Sequence, residues 1–190
     1  MKILYINGCV DIEHSRTNQL ARVLLENIRK QCGQQEAYVE ELILEQNLIL
    51  PLTAKQVNKR KELCAKHDYA DPMFDAAKQF AEADTIVLAA PYWDMSFPAI
   101  VKDYIENICV LDLTFGYDEQ GIPKGLCKAK ELIYVTTSGG PIGKYNLGYE
   151  YVKSLCEVYW GINHTEFIAA ENLDLYGNDA QKILQGLWIK

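Results

Sequence analysis

A chain of 190 residues and 21.6 kDa, 49% hydrophobic and 24% charged, has the length and apolar content of one folded domain. Folding at this size removes roughly 70% of the unfolded chain's surface from water, which excludes disorder as the main state and any need for a disulfide or metal staple. Its 19 basic against 26 acidic residues leave a net charge of −7 and a pI near 5.0, so nucleic acid and membrane surfaces are excluded as first expectations.

Lys2–Asn7 is a short apolar run ending at Gly8 and reads as a buried strand. No later run is long enough for a membrane span, and the polar Asn7-Gly8 interrupts any signal-peptide core, so a cytoplasmic protein is expected. From Thr17 to Gln31 the spacing of Leu20, Leu24 and Ile28, with Ala21 and Val23 beside them, predicts a helix stopped by Gly33. Ala37–Leu42, interrupted by Glu40 and Glu41, fits a strand at the sheet edge. Thr53–Lys66 is polar and Lys-rich, an exposed helix. Asp71-Pro72 then reads as N-cap and first residue of a helix carrying Phe74, Ala77, Phe80 and Ala81 inward.

Thr85–Ala90 is apolar without alternation, as a parallel strand covered on both faces requires. It leads through Pro91–Pro98 into a helix whose apolar face is Ile100, Val101, Tyr104, Ile105 and Ile108. A hairpin-like insert around 113–127 follows, turning at Asp118–Gly121. A strand at Leu132–Thr136, a helix around Tyr149–Trp160, a strand around Glu166–Ala170 and a helix from about Asp179 complete the chain. Alternation of this kind implies an α/β fold: one doubly wound, five-stranded parallel sheet with helices on both faces, as a single domain over 1–190.

In such a sheet ligands bind beyond the carboxyl ends of the strands, so three loops carry the question. Ser15-Arg16-Thr17-Asn18 opens a helix, where unpaired amides, hydroxyls and a guanidinium suit a phosphate. The plain alternative is that Ser15 or Thr17 only caps the helix. Neither a Walker loop nor a dinucleotide glycine motif is present. A Cys-x5-Arg phosphatase is disfavoured, because Cys9 and Arg16 are one residue too far apart and Asp11 and Glu13 would oppose both thiolate and phosphate. Pro91-Tyr92-Trp93-Asp94-Met95 presents aromatic surface suited to a planar ligand, the alternative being that Trp93 or Phe97 packs under the next helix. Thr137-Ser138-Gly139-Gly140 lets backbone approach a ligand closely, or forms only a turn. The six cysteines (Cys9, Cys32, Cys64, Cys109, Cys127, Cys156) are scattered without zinc or iron–sulfur spacing, so buried thiols and no metal site are expected. His14, His67 and His164 lie outside the loops that follow Ala90 and Thr136 and read as surface or packing residues.

With Ser15–Leu20, Ala90–Lys102, Leu113–Tyr117 and Thr136–Gly140 in this order, the chain resembles the flavodoxin-like NAD(P)H quinone oxidoreductases and FMN-dependent azoreductases. The resemblance implies FMN, with FAD the lesser alternative, and NAD(P)H as electron donor. By position, Ser15, Arg16 and Thr17 would hold the phosphate, with Asn18 beside them. Pro91 and Tyr92 to Met95 would line the flavin ring, and Thr137 to Gly140 would approach its pyrimidine side. Tyr145 matches a tyrosine beside the ring, whereas the relatives' histidine six residues on is Tyr151 here, and Asp94 replaces an amide or aromatic side chain. Two electrons would pass from NAD(P)H through flavin N5 to a quinone or azo compound by a ping-pong route, with no catalytic acid or base assigned. The insert implies a homodimer whose interface walls the site. The rival expectation is a flavodoxin-type electron carrier, or flavin-binding module, without its own small-molecule acceptor.

Overall fold

The computed structural model describes residues 1–32, 37–47 and 49–187. Along the chain come β1 (Lys2–Asn7), α1 (Arg16–Gln31), β2 (Tyr38–Ile43), α2 (Ala54–Ala65), α3 (Asp75–Glu82), β3 (Thr85–Ala89) and α4 (Ala99–Ile108). The ribbon β4 (Phe115–Tyr117) and β5 (Pro123–Gly125) follows, then β6 (Glu131–Thr137), α5 (Leu147–Leu155), β7 (His164–Ala170) and α6 (Ala180–Gly186). Five strands pair in parallel in the order β2-β1-β3-β6-β7, with Tyr5 opposite both Glu41 and Val87, and Val87 opposite Ile133. β2 is an edge strand, as its two glutamates require. The order reverses between β1 and β3, which opens a crevice at the carboxyl ends of the central strands.

Successive strand residues feed opposite cores. Leu4, Ile6, Ile86, Leu88, Leu132 and Tyr134 face the layer of α3, α4 and α5, where Val101, Tyr104, Ile105 and Trp160 are buried. Ile3, Tyr5, Val87, Ala89, Ile133 and Val135 face Leu20, Leu24 and Leu184 of α1 and α6. Full burial on both faces explains why these strands read as continuous apolar runs.

Several boundaries differ from the expected ones. Asp71 caps a 3-10 turn at Pro72–Phe74 before α3 begins; Phe74, Ala77 and Phe80 are buried, while Ala81 is only partly covered. The helix expected to run to Trp160 ends at Leu155 and continues as a π-helical turn, Cys156–Trp160, closed by Gly161 at φ 69°. β7 begins two residues earlier than expected, at His164. On α1, Val23 is exposed, since its position falls outside the stripe of Leu20, Leu24 and Ile28. Gly33, the expected stop, lies outside the described residues; α1 is capped at Cys32. The exposed helix α2 carries a capping box at Thr53 and Gln56.

Candidate active site

Beyond β1, the buried side chain of Asn18 accepts hydrogen bonds from the Tyr5 hydroxyl (2.8 Å) and Asn7 Nδ2 (3.2 Å) and donates to the Ile12 carbonyl (3.1 Å). Asn18 therefore shapes the loop from within and offers its side chain to the sheet rather than to a ligand. Ser15 Oγ accepts from the Asn18 amide at 3.1 Å, so the capping role is real. Its side chain also hydrogen-bonds to Cys9. The amides of Arg16 and Thr17, in the first turn of α1, have no carbonyl four residues back within the helix. Thr17 Oγ1 lies 2.6 Å from Thr137 Oγ1, both buried; sharing one hydrogen bond leaves one of the two hydroxyl protons to donate elsewhere.

The second loop leaves β3 alongside β6, with the Tyr92 amide donating to the Thr137 carbonyl at 3.2 Å. Trp93 and Ser96 then exchange backbone hydrogen bonds (3.1 and 2.7 Å) around Asp94 at φ 50° and Met95 at φ 64°. This two-residue turn places both central residues in the left-handed region, a conformation that glycine and asparagine adopt more cheaply. Trp93 stands 50% and Met95 48% exposed. Of the two aromatics offered as packing under the next helix, Phe97 packs instead against α5, 6.1 Å from the Tyr151 ring, while Trp93 projects from the loop.

The third loop is joined to the segment after β7: the Leu173 amide donates to the Ser138 carbonyl and the Asp174 amide to the Gly139 carbonyl, at 3.1 and 2.9 Å. A Cβ on Gly139 would fall 2.3 Å from Asp174 Oδ2, so a side chain there would displace the Asp174 carboxylate from its present position; at Gly140 the corresponding space is open. Asp174 in turn forms a two-pronged ion pair with Arg16, Nη1 to Oδ1 at 2.7 Å and Nη2 to Oδ2 at 3.1 Å. Hydrogen bonding to Arg16 holds the Asp174 carboxyl below its ordinary range.

These loops enclose a cavity of about 360 Å³. It brings together Ser15, Arg16, Thr17, Pro91, Tyr92, Trp93, Thr137, Ser138 and Gly139 from the three expected loops. Asn18, Asp94, Met95, Gly140 and Tyr145 do not line it. Tyr145 is exposed beside it, its carbonyl accepting from the Tyr92 hydroxyl at 2.9 Å. Tyr151 packs on Phe97 and under the Lys102 ammonium (5.6 Å), away from the cavity lining.

Val10, Asp11, His14 and Asp174 complete the wall and were not among the expected residues. Asp174 carried a readable signal, since Glu171–Asp174 leaves the carboxyl end of the last strand as the other loops leave theirs. His14 is a surface residue that also borders the cavity, with Nδ1 3.0 Å from Asp11 Oδ1. That contact lowers the Asp11 carboxyl from its ordinary value. Cys9 is fully buried, and burial pushes its thiol up to about 11, so it is a packing residue rather than a thiolate nucleophile. All six cysteines are free thiols. Among the described residues no group of three metal-ligating side chains is brought together, and no helix is long and apolar enough to cross a membrane.

A family model described as a flavodoxin-like fold matches residues 1–187. The FMN-dependent NADH:quinone oxidoreductase 2 of Clostridium acetobutylicum is 35% identical over 190 residues, covering 97% of this chain and 92% of that protein. The FMN-dependent NADH:quinone oxidoreductase of Lachnoclostridium phytofermentans is 34% identical, covering 97% and 93%. Among solved structures, an azoreductase from Bacillus anthracis superposes with a TM-score of 0.81 at 20% identity, over 98% of this chain and 94% of that one. An FMN-dependent NADH-azoreductase from the same organism, solved in complex with FMN, gives 0.76 at 22% identity, over 97% and 92%. At these identities the structural likeness is one of fold.

Proposed function

The chain belongs to the flavodoxin-like family that includes the FMN-dependent NADH:quinone oxidoreductases, and on that premise we propose that it is itself an FMN-dependent oxidoreductase taking electrons from NAD(P)H. The observation that carries the reading is the joining of a phosphate-type helix start and an exposed aromatic loop in one cavity. The residues present suit the cofactor. Ser15, the Arg16 guanidinium and the first amides of α1 would hold the phosphate, and the Thr17–Thr137 hydroxyl pair supplies a further donor. Tyr92 and Trp93 would offer flat apolar surface to the ring, and Ser138 and Gly139 a backbone edge.

When bound, FMN would supply two-electron chemistry, taking a hydride equivalent from NAD(P)H and passing it to a quinone or azo compound in alternate use of one site. The chain's residues bind and orient. The Trp93–Ser96 turn is held to α5 by the Leu147 amide, which donates to the Met95 carbonyl at 3.1 Å. Tyr92, through its hydroxyl on the Tyr145 carbonyl, fixes the loop before α5 beside the same turn. No side chain is assigned as acid or base.

Exposed Trp93, Met95, Tyr145 and Leu147 form apolar surface next to the cavity, and Tyr117, Ile122 and Leu126 are exposed on the hairpin. Apolar surface beside a site marks an interaction surface, so a homodimer belongs to the same proposal, checked by light scattering on the eluting protein. The decisive test is an anaerobic absorbance spectrum of the FMN-loaded chain before and after NADH. Bleaching of the flavin band, restored by a quinone or azo dye, is the expected result. A bound flavin that NADH leaves oxidised would make the protein an electron carrier.

A further inference from the structure

Among the described residues lining the cavity, Arg16 is the one permanent cation, against the carboxylates of Asp11 and Asp174. Asp11 is turned to His14, and Asp174 engages both terminal nitrogens of Arg16. A phosphate entering this end therefore meets a guanidinium whose fork already holds a carboxylate. We propose that Asp174 is an internal stand-in for the ligand's phosphate, and that loading is an exchange in which the phosphate takes the Arg16 fork and the Asp174 side chain swings out. The proposal rests on the FMN reading for the identity of the physiological ligand, but not for the exchange itself.

Three features make the exchange feasible. The Asp174 backbone is pinned by its amide to the Gly139 carbonyl, so the carboxylate can leave and return without moving the loop. Glycine at 139 leaves the carboxylate its present seat, since a Cβ would meet Oδ2 at 2.3 Å. The pair is also open to water, with Arg16 at 33% and Asp174 at 63% side-chain exposure, and exposed pairs hold weakly. A phosphate dianion offers the same two-pronged geometry with more charge. Once released, Asp174 still repels it, so the residue lowers affinity for any ligand with a phosphate tail while leaving ring binding alone.

The test compares wild type with Asp174→Asn, an exposed and isosteric change, for FMN and for riboflavin, which lacks the phosphate, by fluorescence quenching. FMN binding is expected to tighten about tenfold while riboflavin is unchanged. Equal or weaker FMN binding in the variant, or an equal gain for riboflavin, overturns the exchange. Titration of both proteins with inorganic phosphate, followed at the Arg16 Nε–H resonance by NMR, reads the exchange without FMN. Saturation at lower phosphate in the variant supports it and identical curves reject it. Failure of wild type to bind FMN, with the phosphate result intact, would instead sink the functional reading.

Discussion

The turn of the β4–β5 ribbon, closing at Gly121 with φ 77°, and the turn at Trp93–Ser96, which holds Asp94 at 50° and Met95 at 64°, meet the same backbone demand with different residues. In the ribbon the Asp118 carboxylate accepts from the Gln120 and Ile122 amides (2.9 and 2.8 Å), and glycine takes the left-handed position without a side chain to place. At the site rim both left-handed residues keep their side chains. Left-handed φ in residues with a Cβ costs of order 1 kcal/mol each, and such cost persists where the surroundings enforce it. Here the surroundings are the Leu147–Met95 hydrogen bond and the reciprocal Trp93–Ser96 pair. The ribbon, by contrast, is fixed by close packing: a Cβ on Gly125 would lie 2.1 Å from the Gly161 nitrogen and 2.3 Å from the Trp160 carbonyl carbon. One region is built for fit, the other for presentation.

Four substitutions or conditions press on that contrast. Gly125→Ala drives a methyl into backbone that cannot yield, and the expected loss is about 3 kcal/mol or more, read by urea denaturation; a loss below 1 kcal/mol would mean the ribbon is not close-packed. Trp93→Ala removes a half-exposed ring, so the unfolding midpoint should hold while FMN affinity drops roughly tenfold in a fluorescence titration. Met95→Gly relieves the left-handed backbone and should stabilise the fold by about 1 kcal/mol in thermal melts; a neutral or destabilising result would mean the rim turn carries no strain.

The smallest effect concerns pH. The Asp11 carboxyl sits below its ordinary value of 3.8 because of the hydrogen bond from His14. A depressed folded-state value gives stability that is present above 3.8 and is lost as pH falls through the folded value. Wild type should therefore be slightly more stable than Asp11→Asn at neutral pH, and the two should converge in strong acid, where the carboxyl is protonated in both the folded and unfolded chain. Equal stability of the two proteins at neutral pH, or a difference that persists unchanged in strong acid, would contradict the pairing.

Much of the architecture was legible because burial on both faces leaves a local record. Thr85–Ala90 and Leu132–Thr136 have no polar interruption, and the rule that ligands sit at strand carboxyl ends led to three loops that share one cavity. Less legible was the helix after β6, where Tyr149–Trp160 keeps an apolar pattern although the backbone changes to a π-turn at Cys156. The register there is decided by packing against the ribbon, which periodicity does not encode. His14 and Asp11 were not placed on the wall for a different reason, since their position there depends on the path of a loop without regular structure.

The amino-acid order by itself determined the strands, the helices and which strand ends meet, since these follow from the spacing of apolar residues within short windows. It also placed a cationic, hydroxyl-bearing helix start and an aromatic loop at that edge. Only the folded chain decided what those groups face. Arg16 is held by Asp174, 158 residues away, Asn18 turns inward to Tyr5 and Asn7, and Gly139 makes room for a carboxylate rather than for a turn. Contacts of that range arise from the superposition of loops above the sheet, and local sequence holds no information about which polar groups that superposition brings together.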